Sequence, residues 1–313
     1  MHPNNSEIAL ENNSRRKTSL YSRKSLHLMI LPGLIILIIF QYLPMFGFVM
    51  AFQDFKPVRG FFESDWVGLD NFSYILSLPN IYQVIWNTLY IAVLKIIVGL
   101  VCPIIIAILL NEIRLTMIRR TVQTLIYMPH FLSWIILGGI IIDLLSPSGG
   151  VINHILGWFG VEPIYFLGNK DTFPYLLVGT NLWKEVGFST IVYLAALTSI
   201  NPNLYEAAVV DGANRWQQIR HITLPGLLPV IILMATLSLG NVLNAGFDQV
   251  FNLYNPLVYE TGDIIDTFVY RMGIEQAEYS LSTAIGLFKS VVSFFLISLS
   301  YFLAHRFAHY RIF

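Results

Sequence analysis

The chain has 313 residues, is 55% hydrophobic and only 12% charged, and its mean hydropathy is +0.63 with a formal net charge of zero. Soluble domains carry about 25% charged residues, so this composition excludes an ordinary soluble protein and indicates an integral membrane protein. The single cysteine, Cys102, lies in an apolar run, which excludes an internal disulfide and offers no metal cluster.

Residues 1–25 form a polar tail with Arg15, Arg16, Lys17, Arg23 and Lys24, a topology signal for a cytoplasmic N-terminus. A first span follows over Leu26–Ala51. Bilayer crossing takes roughly 20 apolar residues, and this run is too long for a signal-peptide core, so it reads as retained. The loop after it is aromatic, and Asp70-Asn71-Phe72 is expected to cap a short interfacial helix.

Span 2 is expected over Val84–Leu110, span 3 over Leu125–Leu145, span 4 over Tyr175–Ile200, span 5 over Leu227–Val250 and span 6 over Thr283–Leu303. Ser146-Pro147-Ser148-Gly149-Gly150 breaks the chain after span 3. The fold class is therefore an all-α integral membrane protein with six transmembrane helices. Basic residues concentrate in the N-terminal tail, in the segments after spans 2 and 4, and at the C-terminus. The opposite loops hold only Lys56, Arg59, Lys170 and Arg271. This asymmetry predicts both termini in the cytoplasm, including the short tail 309–313.

The same count places Tyr205–Pro229 in the cytoplasm. It is charged and jointed. Ala207 and Ala208 give a face of little bulk. Glu206 is expected at the start of a short helix, where the macrodipole favours an anion. Gly212 is expected to end that helix, and Pro225 to start the next rigid segment. Asp211, Ala213, Arg215 and Leu224 complete the candidate docking surface.

The order Glu206-Ala207-Ala208, three residues, Gly212, nine residues, Ile222, one residue, Leu224-Pro225 resembles the signature loop of permease subunits of binding-protein-dependent ABC importers. Asn87-Thr88-Leu89, Leu109-Leu110-Asn111-Glu112 and the run 188–197 extend the resemblance, and Phe268-Val269-Tyr270-Arg271 is similar to the Gram-positive subgroup that takes up oligosaccharides from complex polysaccharides. The resemblance implies a type I ABC importer permease fold, with a core over 84–308 and a coupling loop over 204–225. It implies a multi-pass protein of the plasma membrane, with a second homologous permease, two cytoplasmic ATPases that bind ATP and Mg, and an external lipid-anchored solute-binding protein as partners. The sequence has no G-x-x-x-x-G-K-[ST] run, so no nucleotide cofactor is expected in this chain and hydrolysis is expected in the partner ATPase. Nucleic acid is not an expected partner.

Polar groups within spans are costly and face water or a bundle interior. In span 5, Asn241, Asn244 and Asp248 stand at i, i+3 and i+7 and are expected to share one helix face. With Asn87, Lys184, Glu185, Phe188 and Phe247 they are the candidates for the solute path; Trp183 and Tyr193 offer further flat faces to sugar rings. Inter-helix hydrogen bonding is the alternative for Asn87 and Asn241, and snorkelling or pairing with a partner is the alternative for Lys95 and Lys289. Lys184 and Glu185 are neighbours about 100° apart on a helix and are not an expected ion pair. A same-architecture importer for a simple sugar or glycerol phosphate, a secondary transporter and a membrane enzyme are the competing readings. The last two lack paired broken helices and a catalytic constellation respectively.

Overall fold

In a computed structural model the described residues are 27–308; the basic tail 1–25 and the tail 309–313 lie outside them. The architecture is helical, with one two-stranded antiparallel ribbon, β1 (Gln53–Asp54) and β2 (Asp65–Trp66). Among the described residues four helices are long and apolar enough to cross a membrane: α1 (His27–Phe52), α3 (Ile81–Glu112), α9 (Arg215–Gly240) and the stretch Tyr279–Phe302 of α12 (Tyr279–Ala308). Between them lie α2 (Asp70–Ser77), the bent pair α4 (Thr116–Phe131) and α5 (Trp134–Leu145), α6 (Val151–Trp158), α7 (Phe173–Thr198), α8 (Pro202–Val210), α10 (Phe247–Leu253) and α11 (Ile265–Tyr270). With the bent pair counted as one span, the candidates number up to five.

Two expected spans are not single straight helices. The expected span Leu125–Leu145 is divided into α4 and α5, which meet at 107°. Pro129 lacks an N–H, Leu132 and Ser133 are extended, and the Ser133 hydroxyl accepts from the Ile136 amide at 3.3 Å to start a new helix. The expected span Leu227–Val250 is also divided. Helix α9 already begins at Arg215 and ends at Gly240, Asn241–Gly246 form a turn, and Gly246 (φ 94°) precedes α10. Asn241, Asn244 and Asp248 therefore do not share one helix face. Pro225 stands in the first turn of the α-helical stretch Leu224–Gly240, as expected, and that stretch continues α9 through a π-turn over Ile219–Thr223.

The Asp70 side chain makes no cap, since Leu69 occupies that position; Asn71 instead donates to the carbonyls of Ala51 (2.9 Å) and Gln53 (3.0 Å), tying α2 to the end of α1. Gly138 meets Asn252 of α10 closely, its position for a β-carbon lying 3.1 Å from that side chain, whereas Gly139 faces open space.

Helix α7 is packed along α3, and α4 folds back onto α7. Gly187 permits the second contact: a β-carbon there would lie 2.0 Å from the Ile126 carbonyl oxygen. Apolar side chains form three clusters. One gathers Ile91, Leu137, Phe173, Leu177, Val250 and Ile264. A second joins Ala51, Ile81, Ile265 and Ile285. The third holds Ala107, Tyr193, Leu197 and Leu227.

Candidate functional site

Two regions carry the candidate residues, and α3 sets their separation. Its last residue, Glu112, stands 3.7 Å from Arg215, while Lys95 near its middle reaches the turn at Ala245. At about 1.5 Å per residue those two positions are about 26 Å apart.

The first region is α8 with the start of α9. Asn201 caps α8 by accepting from the Asn203 amide at 3.0 Å, with Pro202 following in the first turn. Gly212 (φ 79°) ends it, as expected from the sequence, and the Ala213 amide reaches back to the Ala208 carbonyl at 2.8 Å. Glu206 lies in the middle of α8, not at its start, because Asn201 and Pro202 set the helix start earlier; the macrodipole argument does not apply to it. A capping box opens α9: the Gln217 amide donates to Asn214 at 2.9 Å and the Asn214 amide to Gln217 at 2.7 Å.

Tyr205 and Thr223 share a 2.9 Å hydroxyl–hydroxyl contact that ties α8 to α9. Leu204, Val209, Val210 and Trp216 are exposed, as are Glu206, Ala207, Asp211, Gly212, Arg215, Leu224 and Pro225; Ala208 and Ala213 are half-buried. The segment is a capped, tethered element with an uncovered apolar face.

The second region surrounds the turn Asn241–Gly246. A cavity of about 650 Å³ is lined by Lys95, Asn181, Glu185, Ser189, Asn241 and Asn244, among others. A second, of about 520 Å³, is lined by Asn244, Phe247, Asp266, Tyr270, Ser282 and Lys289, among others. Asn244 belongs to both walls. Within the turn the Asn244 amide donates to the Asn241 carbonyl at 2.8 Å, and the Ala245 carbonyl accepts from Lys95 at 2.6 Å, so groups freed by the break find protein partners.

The remaining candidates have other surroundings. Asn87 is buried and donates to the carbonyls of Glu260 (3.0 Å) and Asp263 (3.2 Å), so it is a helix-to-loop tie. Lys184 is buried and donates to the carbonyls of His130 (2.7 Å) and Leu132 (2.8 Å), satisfying acceptors freed at the bend between α4 and α5. Its ammonium also lies 3.8 Å from Glu185, a contact the 100° separation did not anticipate, since both side chains turn toward that bend. Glu185 bonds His130 at 2.9 Å, and the His130 ring stacks on Phe188 at 4.2 Å. Asp248 is exposed and outside both cavity walls. Tyr193 is fully buried in the third cluster, and no sugar ring reaches it there. Lys289 pairs with Asp266, and Arg271 with Asp263.

Sequence reasoning passed over Asn181 and Ser189. The signal was present: Asn181, Glu185 and Ser189 stand at i, i+4 and i+8 and form a polar stripe on α7. At the far end, Lys170 bonds Glu260 at 2.8 Å, and that hydrogen bond, then the carboxylate charge, holds the ammonium above its ordinary pKa.

Comparison with known proteins gives this arrangement a family. A polygalacturonan/rhamnogalacturonan transport system permease protein of Bacillus subtilis (strain 168) is 43% identical over 297 residues, covering 95% of this chain and 92% of that protein. An arabinooligosaccharides transport system permease protein of the same strain is 30% identical over 277 residues, covering 87% and 86%. A chain in the crystal structure of a bacterial alginate ABC transporter, in complex with an alginate pentasaccharide-bound periplasmic protein, superposes with a TM-score of 0.85 at 39% identity, covering 92% and 96%. The family model described as binding-protein-dependent transport system inner membrane component matches residues 99–309. The chain belongs to this family of multi-pass ABC transporter permeases.

Proposed function

We propose that this chain is one of two permease subunits of an ATP-driven importer, and that its solute is an oligosaccharide derived from a complex polysaccharide. A second homologous permease completes the path, two ATPase subunits holding ATP and Mg dock beneath the pair on the cytoplasmic side with α8 as this chain's contact, and a lipid-anchored binding protein delivers solute from outside. The observation that carries this reading is α8 itself. It is exposed, apolar on its outer face, closed by Gly212 and tied to α9 through Tyr205–Thr223, and the first residue of α9, Arg215, stands 3.7 Å from Glu112 of α3. Motion imposed on such an element reaches both membrane helices. The amides and hydroxyls of the two cavities suit sugar hydroxyls. The relatives carry charged polysaccharides and arabinooligosaccharides in their names, so family membership leaves the charge of the solute open.

Cysteine crosslinking tests the docking step. Cys102 is the sole native cysteine, so Cys102→Ala with Ala207→Cys places one thiol on α8. The expected result is an adduct with an ATPase subunit whose yield changes on adding ATP. Adducts containing only the second permease or the binding protein would reject the docking surface.

A further inference from the structure

Lys95 lies near the middle of α3, and its ammonium donates to the Ala245 carbonyl at 2.6 Å and to Gln249 Oε1. Both partners are neutral. Three other largely buried cations have carboxylates: Lys184 faces Glu185 at 3.8 Å, Arg271 pairs with Asp263 and Lys289 with Asp266. Lys95 has none among the described residues.

An ammonium has three donors. Two of those of Lys95 are used, which leaves one N–H without a protein acceptor among the described residues. The same side chain forms part of the wall of the 650 Å³ cavity, and of a smaller crevice shared with Asn181 and Glu185. Glu185 does not balance it, because that carboxylate is engaged by His130 and Lys184. The wall thus holds one ammonium without a carboxylate partner, among amides and hydroxyls and the engaged Glu185 carboxylate. A charge in a poorly solvated site is costly until an anion meets it.

We propose that Lys95 selects the charge of the solute: its ammonium pairs with the carboxylate of a uronic acid unit while Asn181, Asn241 and Asn244 take the hydroxyls. This rests on the oligosaccharide reading above and names the substrate class within it, an anionic, uronate-bearing oligosaccharide.

The test is ATP-driven uptake by the complete importer in proteoliposomes. A galacturonate trisaccharide and its methyl ester are compared, each presented on the binding protein at saturation. The readout is the ratio of acid to ester uptake, which a purely structural role for Lys95 would not move. Wild type is expected to favour the acid. Lys95→Gln is expected to lower the ratio roughly tenfold, the scale of one hydrogen bond to a charged group, and Lys95→Arg to retain it. Gln249→Glu supplies an internal carboxylate without removing the lysine and is expected to lower the ratio as well. A ratio near one in wild type overturns the proposal, as does an unchanged ratio in both Lys95→Gln and Gln249→Glu. Uptake of neither sugar by wild type, with an arabinooligosaccharide carried, overturns the proposal and leaves the oligosaccharide reading standing; uptake of none of the three removes that reading itself.

Discussion

The ammonium of Lys184 lies 2.7 Å from the carbonyl oxygen of His130, across the 107° bend between α4 and α5. A second bond, to Leu132 at 2.8 Å, holds the other side of the break. Lys184→Met would keep the stem and remove both donors. Two acceptors freed at the break would lose their partner, so a loss of about 2–4 kcal/mol is expected. Thermal unfolding of the purified protein in detergent checks this; an unchanged midpoint would show that the bend holds without the lysine.

Gly187→Ala tests how closely α4 approaches α7. The added carbon would meet the Ile126 carbonyl at 2.0 Å, and backbone cannot step aside as a side chain can. A cost of about 1–3 kcal/mol is expected from overpacking. Gly139→Ala, with open space around it, is the control and should leave the unfolding midpoint unchanged or slightly raised.

Gly212 adopts φ 79° with no neighbour near its β position. Strain, not collision, is therefore the obstacle to substitution. Gly212→Ala should cost about 1 kcal/mol and misdirect α8, lowering uptake more than ATP hydrolysis. Gly212→Asn, which tolerates the left-handed region, should retain more coupling. Equal uptake per ATP hydrolysed in all three proteins would dissociate the turn from coupling.

Asn244 lines both cavities and Asp248 neither. Asn244→Ala should slow solute uptake with ATPase docking intact, and Asp248→Ala should leave uptake near wild type. Initial uptake rates at saturating binding protein distinguish them. The reverse order would place the path on the other side of α10.

Long apolar runs made the membrane helices legible, and left-handed Gly212 followed from its place after a short helix. The interruptions were harder to read. Leu125–Leu145 looks continuous because its bend depends on Pro129 and Ser133, and on Lys184 arriving from another helix to satisfy the freed carbonyls. The turn at Asn241–Gly246 is hidden in an apolar context in the same way, since Lys95 supplies a donor to Ala245 from 150 positions away. Helical spacing therefore placed Asn241, Asn244 and Asp248 on one face, and tertiary contacts overrode it. Asn87 and Lys184 were polar in the expected places, but their partners are backbone carbonyls that no sequence pattern reveals.

Helix α9 runs without interruption from Arg215, beside the exposed α8, to Gly240, just before the turn whose Asn244 lines both cavities. Its 26 residues make a connecting rod of about 39 Å. A thrust applied at the Trp216 end would arrive at Asn241 as an axial displacement of similar size. The π-turn at Ile219–Thr223 and Pro229 locally disturb the regular hydrogen-bond ladder of this rod, so the stiffness at those two points would set how much of the stroke reaches the turn that Lys95 holds.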